Sequence, residues 1–114
     1  MNLTVVNPVQ LAENIAMLDQ MTGGRVFVGF TRGNTPRWTA TFGQHLNVRS
    51  TESDNSELDR RNRAIFYENW KIVKALWTNP TIRIEGHFWK VPREVEWEFW
   101  PTNDHAAHTV DRGI

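Results

Sequence analysis

Apolar residues recur at helical spacing along two stretches of the chain and run almost unbroken along a third. In the first stretch Leu11, Ile15 and Leu18 recur with Ala12 and Ala16 alongside, while Glu13, Asn14 and Gln20 are polar. That is the pattern of an amphipathic helix. Its ends are specified locally. Asn7 can cap with its side-chain oxygen, Pro8 suits the first helical position, and Gln10 stands where a capping box puts its polar partner. Gly23-Gly24 closes the helix, because glycine accepts the left-handed conformation at a helix C-terminus. The spacing predicts a helix over 8–22.

The unbroken run follows at once. Arg25-Val26-Phe27-Val28-Gly29-Phe30 does not alternate, which predicts a strand over 25–31 buried on both faces, as in a parallel sheet covered by helices. Thr31 to Pro36 is a polar turn at its C-terminal end. Helix, two glycines, buried strand and polar loop make the αβ half of a βαβ repeat. Residues 2–6 read as a short strand or its tail.

Residues 44–56 are polar and turn-rich and read as a loop. A long helix is predicted over 57–78. Phe66, Trp70, Val73 and Trp77 form its stripe, Ile65, Ile72 and Leu76 widen it, and Asn79-Pro80 stops it. A short hairpin over 81–91 follows, with strands at Thr81–Ile84 and His87–Val91 around Glu85-Gly86. Glu94 to Phe99 alternates acidic and apolar residues, as an edge strand with one wet face does. Nothing periodic follows Pro101, so 92–114 reads as an irregular tail.

A length of 114 residues allows one domain. Thirteen basic and thirteen acidic residues balance to a net charge of zero, which argues against nucleic-acid and membrane-surface binding. There is no cysteine, which excludes disulfides, thiolate zinc sites, iron–sulfur clusters and cysteine nucleophiles. No stretch approaches the ~20 apolar residues of a membrane span. No basic leader precedes the first helix, so a soluble cytoplasmic protein is expected. An α/β barrel of eight strands takes ~250 residues, so the chain supplies less than half of one.

Three runs carry a resemblance: Asn7-Pro8-Val9-Gln10-Leu11-Ala12-Glu13, Leu18-Asp19-Gln20-Met21-Thr22-Gly23-Gly24-Arg25, and Gly29-Phe30-Thr31-Arg32-Gly33. The match continues through Phe42-Gly43, Arg63-Ala64, Ala75-Leu76-Trp77 and Glu85-Gly86-His87-Phe88-Trp89, covering residues 5–91 in order. Together they resemble the bacterial luciferase-like flavin monooxygenases. The resemblance implies an α/β fold, a portion of a TIM (β/α)8 barrel that includes its third helix and fourth strand. It also implies reduced FMN, or a deazaflavin in some members, reacting with molecular oxygen to oxygenate a small organic substrate. A flavin reductase and a homo-oligomer are the further partners it suggests. In such an enzyme the protein supplies a dry pocket, a phosphate clamp and positioning, and the flavin does the oxygen chemistry.

Carried over residue by residue, Arg32 matches an arginine that contacts the flavin phosphate. Arg63 matches a second arginine near it. Thr31 stands where the luciferase chain has a reactive cysteine, a departure shared with other relatives. Thr31, Arg32 and Gly33 lie at the C-terminal end of a predicted strand, where TIM barrels build their sites. A guanidinium there can hold a phosphate bidentately, and Gly33 lets backbone approach a ligand. No catalytic residue is assigned.

Other features read as structural. His105 and His108 stand one helical turn apart, and Glu94, Glu96 and Glu98 could add carboxylates, but no third ligand is placed, so no metal is expected. Trp70 and Trp77 belong to the core stripe. Trp38, after the polar loop, is the tryptophan placed nearest a substrate, and His45 reads as a loop histidine. The expected function is a flavin-dependent monooxygenase, this chain being a segment of it. The alternative is a non-catalytic barrel segment that serves as an assembly or interaction module.

Overall fold

A computed structural model describes residues 1–51 and 53–93. Its regular elements are three α-helices, α1 (Pro8–Met21), α2 (Pro36–Phe42) and α3 (Glu57–Thr78), and a hairpin of β1 (Ile84–Glu85) and β2 (Lys90–Val91). Short 3-10 turns lie at Leu3–Val5 and Gln44–Leu46. A closed barrel is not among the described residues. None of the described helices is long and apolar enough to cross a membrane.

Helix α1 begins where Asn7 Oδ1 accepts hydrogen bonds from the Val9 and Gln10 backbone N–H groups, at 3.0 and 3.3 Å. It ends in a Schellman motif. Gly23 N–H donates to Gln20 O and Gly24 N–H to Asp19 O, with φ of 68° and 81° at the two glycines. Leu11, Ala12 and Ile15 are buried, but Leu18 is 49 % exposed and falls outside the buried face.

Helix α3 packs across α1. Leu3, Leu11, Ala12, Ile15 and Val73 form one part of the core, and Ile72, Ile82 and Val91 form a second part beneath the hairpin. The buried face of α3 runs through Ile65, Ile72 and Val73, whereas Trp70 and Trp77 are 36 % and 41 % exposed. The tryptophans therefore border the core rather than fill it. Trp77 Nε1 donates to Ala12 O at 3.1 Å, tying the two helices at that border.

Residues 25–31 depart from the expected strand buried on both faces. Residues 25–30 take no regular secondary structure, and Thr31 forms a single bridge, a parallel one to Asn2. Leu3 N–H donates to Thr31 O at 3.0 Å and Thr31 N–H to Met1 O at 2.8 Å. The N-terminal 2–6 segment thus contributes one bridging residue and a 3-10 turn instead of a strand. Val26, Val28 and Phe30 pack against the core, while Phe27 is 97 % exposed. The unbroken apolar run becomes one-sided because helices cover one face and no second layer covers the other among the described residues.

The hairpin also differs in register. Ile84 pairs with Val91 and Glu85 with Lys90, so the turn spans Gly86 to Trp89 rather than Glu85-Gly86. The Glu68 carboxylate on α3 causes the difference. It accepts the Phe88 and Trp89 backbone N–H groups at 3.0 and 3.3 Å and so takes the turn for itself. The segment 94–114, with its acidic-aromatic run and its two histidines, lies outside the described residues.

Candidate functional site

The N-terminus of α3 and the loop after residues 25–31 come together at one carboxylate. Ser56 caps α3 by accepting the Asp59 N–H on its Oγ at 3.2 Å, which sets Asp59 in the first turn. An acid there is favoured by the unpaired N–H groups of the helix end. The Asp59 side chain is fully buried. Its Oδ1 accepts from Arg32 Nη1 at 3.3 Å and from Thr51 Oγ1 at 3.2 Å. Its Oδ2 lies 3.6 Å from Arg63 Nη2, one helical turn along α3, and is buried with no hydrogen-bond partner among the described residues. Burial pushes the Asp59 carboxyl up; the Thr51 hydroxyl, the Ser53 and Asn55 backbone and the Arg32 charge outweigh it, so the group sits below its ordinary value.

Backbone contacts hold Arg32 in place. Asn62 Nδ2, also fully buried on α3, donates to Arg32 O at 2.9 Å and to Arg49 O at 2.7 Å. One amide thereby clamps two loops to the helix. Thr4 Oγ1 adds a long bond to Arg32 O at 3.4 Å. Gly33 follows with φ of 83°, and a Cβ there would meet the Asn2 amide and stand 2.6 Å from Thr39 Oγ1. Gly33 O accepts from Thr51 N–H at 2.9 Å, which brings the Thr51 hydroxyl to Asp59.

Of the sequence-predicted site residues, Arg32 and Arg63 are thus brought to the same group. Arg32 is mostly covered, with 23 % of its side chain exposed, and Arg63 is 44 % exposed. Thr31 is exposed, and its hydroxyl donates to Met1 O at 3.3 Å. Gly33 is buried and admits the Asn2 and Thr39 side chains. Trp38 lies on α2, stacked on Phe42 at 5.8 Å between centroids. His45 meets the edge of Trp89 at 6.3 Å. His105, His108, Glu94, Glu96 and Glu98 lie outside the described residues, and among the described residues no three metal-ligating side chains cluster. Asp59, Asn62 and Thr51 were not anticipated. The signal for two of them was present, since Asp59, Asn62, Ile65, Asn69 and Ile72 recur at helical spacing on one face of α3.

Arg32 commits one nitrogen to Asp59, and Arg63 approaches at 3.6 Å, beyond hydrogen-bond length. Both guanidinium groups keep N–H donors for an anion. A planar fork of this kind suits phosphate and carboxylate. A separate apolar groove of about 500 Å³ runs between α1, α3 and residues 26–30, lined by Ile15, Val26, Val28, Phe30, Trp70 and Trp77. Arg32 is not in its lining.

A family model described as luciferase-like monooxygenase matches residues 1–110. The chain belongs to this family. Comparison with curated proteins and with solved structures found no match. Luciferase-like monooxygenases are oxidoreductases, in general TIM barrels that use reduced flavin or deazaflavin with oxygen and an organic substrate. The loop that follows residues 25–31 carries Arg32, and the luciferase-like match spans both arginines and the carboxylate between them.

Proposed function

We propose that the chain is the part of a flavin-dependent monooxygenase that grips the cofactor's phosphate, with reduced FMN as the flavin. In this reading residues 25–31 are an inner strand of a TIM barrel, and Arg32 and Arg63 are the phosphate clamp at its C-terminal end. Thr31 and Gly33 shape the loop beneath the flavin. The supporting observation is the meeting of Arg32 and Arg63, distant in sequence, on the single buried carboxylate of Asp59. Two guanidiniums with donors to spare fit a phosphate dianion.

Bound reduced flavin would supply the electrons that activate molecular oxygen for insertion into an organic substrate. The chain's own residues do the binding and orienting. Arg32 is mostly covered, so its charge acts in a poorly screened setting. Asn62 fixes the Arg32 carbonyl and so the height of the loop above α3. A separate reductase would deliver the reduced flavin.

The test is a titration of FMN into the chain and into Arg32→Ala. Loss of a charged phosphate contact should cost about 1.5–3 kcal/mol, roughly ten- to hundredfold in affinity. Equal affinity of the two proteins refutes the phosphate role. The alternative, a non-catalytic assembly module, draws on the uncovered face of residues 25–31, where Phe27 is 97 % exposed. A folded oligomer that binds no flavin would favour it.

A further inference from the structure

A buried carboxylate between two arginines is a poor feature for an anion site if only charge is counted. Asp59 cancels one of the two positive charges that would attract a phosphate. Yet it is the group on which both arginines converge, at 3.3 Å to Arg32 and 3.6 Å to Arg63. Without it the two cations would repel each other, and their long side chains would separate and sample many rotamers.

Asp59 itself has little freedom. It is fully buried, Thr51 holds its Oδ1 at 3.2 Å, and its backbone is fixed by the Ser56 cap. Thr51 is in turn tied to the Arg32 loop, because its N–H donates to Gly33 O at 2.9 Å. The carboxylate is therefore a fixed point shared by the loop and the helix. Its Oδ2 is buried, has no hydrogen-bond partner among the described residues and lies 3.6 Å from Arg63, so it orients that guanidinium by charge.

We propose that Asp59 is a positioning residue that holds the Arg32 and Arg63 guanidiniums in one fixed pair, trading net charge for preorganisation of a single anion site. The identity of the anion as a flavin phosphate rests on the function proposed above; the pairing does not. The proposal sets two expectations against each other. If charge governs, Asp59→Asn makes the site more positive and anions bind tighter. If positioning governs, anions bind more weakly although the site has gained positive charge.

The experiment uses the full chain, Asp59→Asn and Thr51→Val, with far-UV circular dichroism to establish folding. Side-chain NMR of the arginines is recorded without ligand, Arg32→Lys and Arg63→Lys assigning the signals. Wild type should show hindered guanidinium rotation for both arginines and exchange-protected N–H at Arg32, the one within hydrogen-bond length of Asp59, and Asp59→Asn should lose both signatures. Inorganic phosphate and FMN are then titrated. Asp59→Asn should bind each at least tenfold more weakly, with a shallower dependence on salt because the two cations no longer engage the anion together. Thr51→Val frees the carboxylate without removing its charge and should weaken binding about threefold in the same direction; it decides the matter if Asp59→Asn does not fold. Unchanged arginine signals, or tighter phosphate binding by Asp59→Asn, overturn the proposal. A wild-type chain that binds neither phosphate nor FMN overturns the flavin reading, and the ligand-free arginine spectra still decide whether Asp59 organises the pair.

Discussion

Replacing Asn62 by alanine tests whether one buried amide holds the candidate site together. Its Nδ2 spans Arg32 O at 2.9 Å and Arg49 O at 2.7 Å. Losing a hydrogen bond costs about 0.5–1.5 kcal/mol net, and up to about 3 kcal/mol where the remaining partner stays buried and unpaired. Arg32 O would keep only the Thr4 hydroxyl at 3.4 Å, and Arg49 O would have no partner among the described residues. The substitution also removes Asn62 Oδ1, which is buried and unpartnered among the described residues, and this offsets about 1 kcal/mol. The net expectation is about 2–3 kcal/mol of destabilisation. A domain of this length is stable by only about 6–17 kcal/mol, so the loss is readily measured. Urea unfolding should show a midpoint lower by about 1 M at unchanged slope, and a shift under about 0.3 M refutes the clamp. Asn62→Asp sharpens the test. It removes the donor and sets a carboxylate against two carbonyls, so at neutral pH it should destabilise more than alanine. Burial raises the folded-state pKa of such a group, so the deficit should shrink as pH falls and the protonated carboxyl donates one bond. A gap to alanine that does not narrow in acid refutes the assignment of the donor role.

Three further expectations follow from the same contacts. Gly33→Ala puts a Cβ at φ of 83° against Asn2 and Thr39, and should cost about 2 kcal/mol and lower the Tm by about 8 °C; an unchanged Tm would show that the turn has another conformation. Asp59 has a depressed folded-state pKa, so its contribution is present above its unfolded value of about 3.9 and is lost as pH falls through the folded value. The urea midpoint should therefore drop in acid below about pH 4, and the drop should be shallower in Asp59→Asn; identical profiles refute the linkage. Phe27→Lys should change stability by less than about 0.5 kcal/mol while reducing self-association in size-exclusion chromatography, because Phe27 is 97 % exposed; a loss above about 1 kcal/mol would mean that the ring is covered.

The parts of the fold legible in the sequence are those made by neighbours in the chain. Asn7, Pro8 and the Gly23-Gly24 pair set the ends of α1 through bonds that span five residues or fewer. Helix α2 is hard to read because its seven residues hold a single large apolar pair at helical spacing, Trp38 and Phe42, too short a run to establish a period, and Thr35 makes no side-chain cap bond. The candidate site was half legible. Arg32 and Arg63 stood out through their motif context, but Asp59, Asn62 and Asn69 sit on the buried face of α3 where apolar residues are the usual occupants. A search for apolar periodicity passes over polar residues that keep the same period.

By itself the sequence determined where α1 and α3 start and stop and which family the chain belongs to, since each depends on short-range geometry or an ordered run of motifs. It centred the α3 stripe on Phe66, Trp70, Val73 and Trp77, with Ile65 and Ile72 at its margin. Tertiary packing moved the buried face to Ile65, Ile72 and Val73, because α1 and the N-terminal segment meet α3 on that side: Asn69 Nδ2 donates to Leu3 O at 2.7 Å. The same docking turned Asp59 inward and carried Arg32 to Arg63. Burial and the meeting of distant charges depend on which surfaces face each other, and no local spacing encodes that.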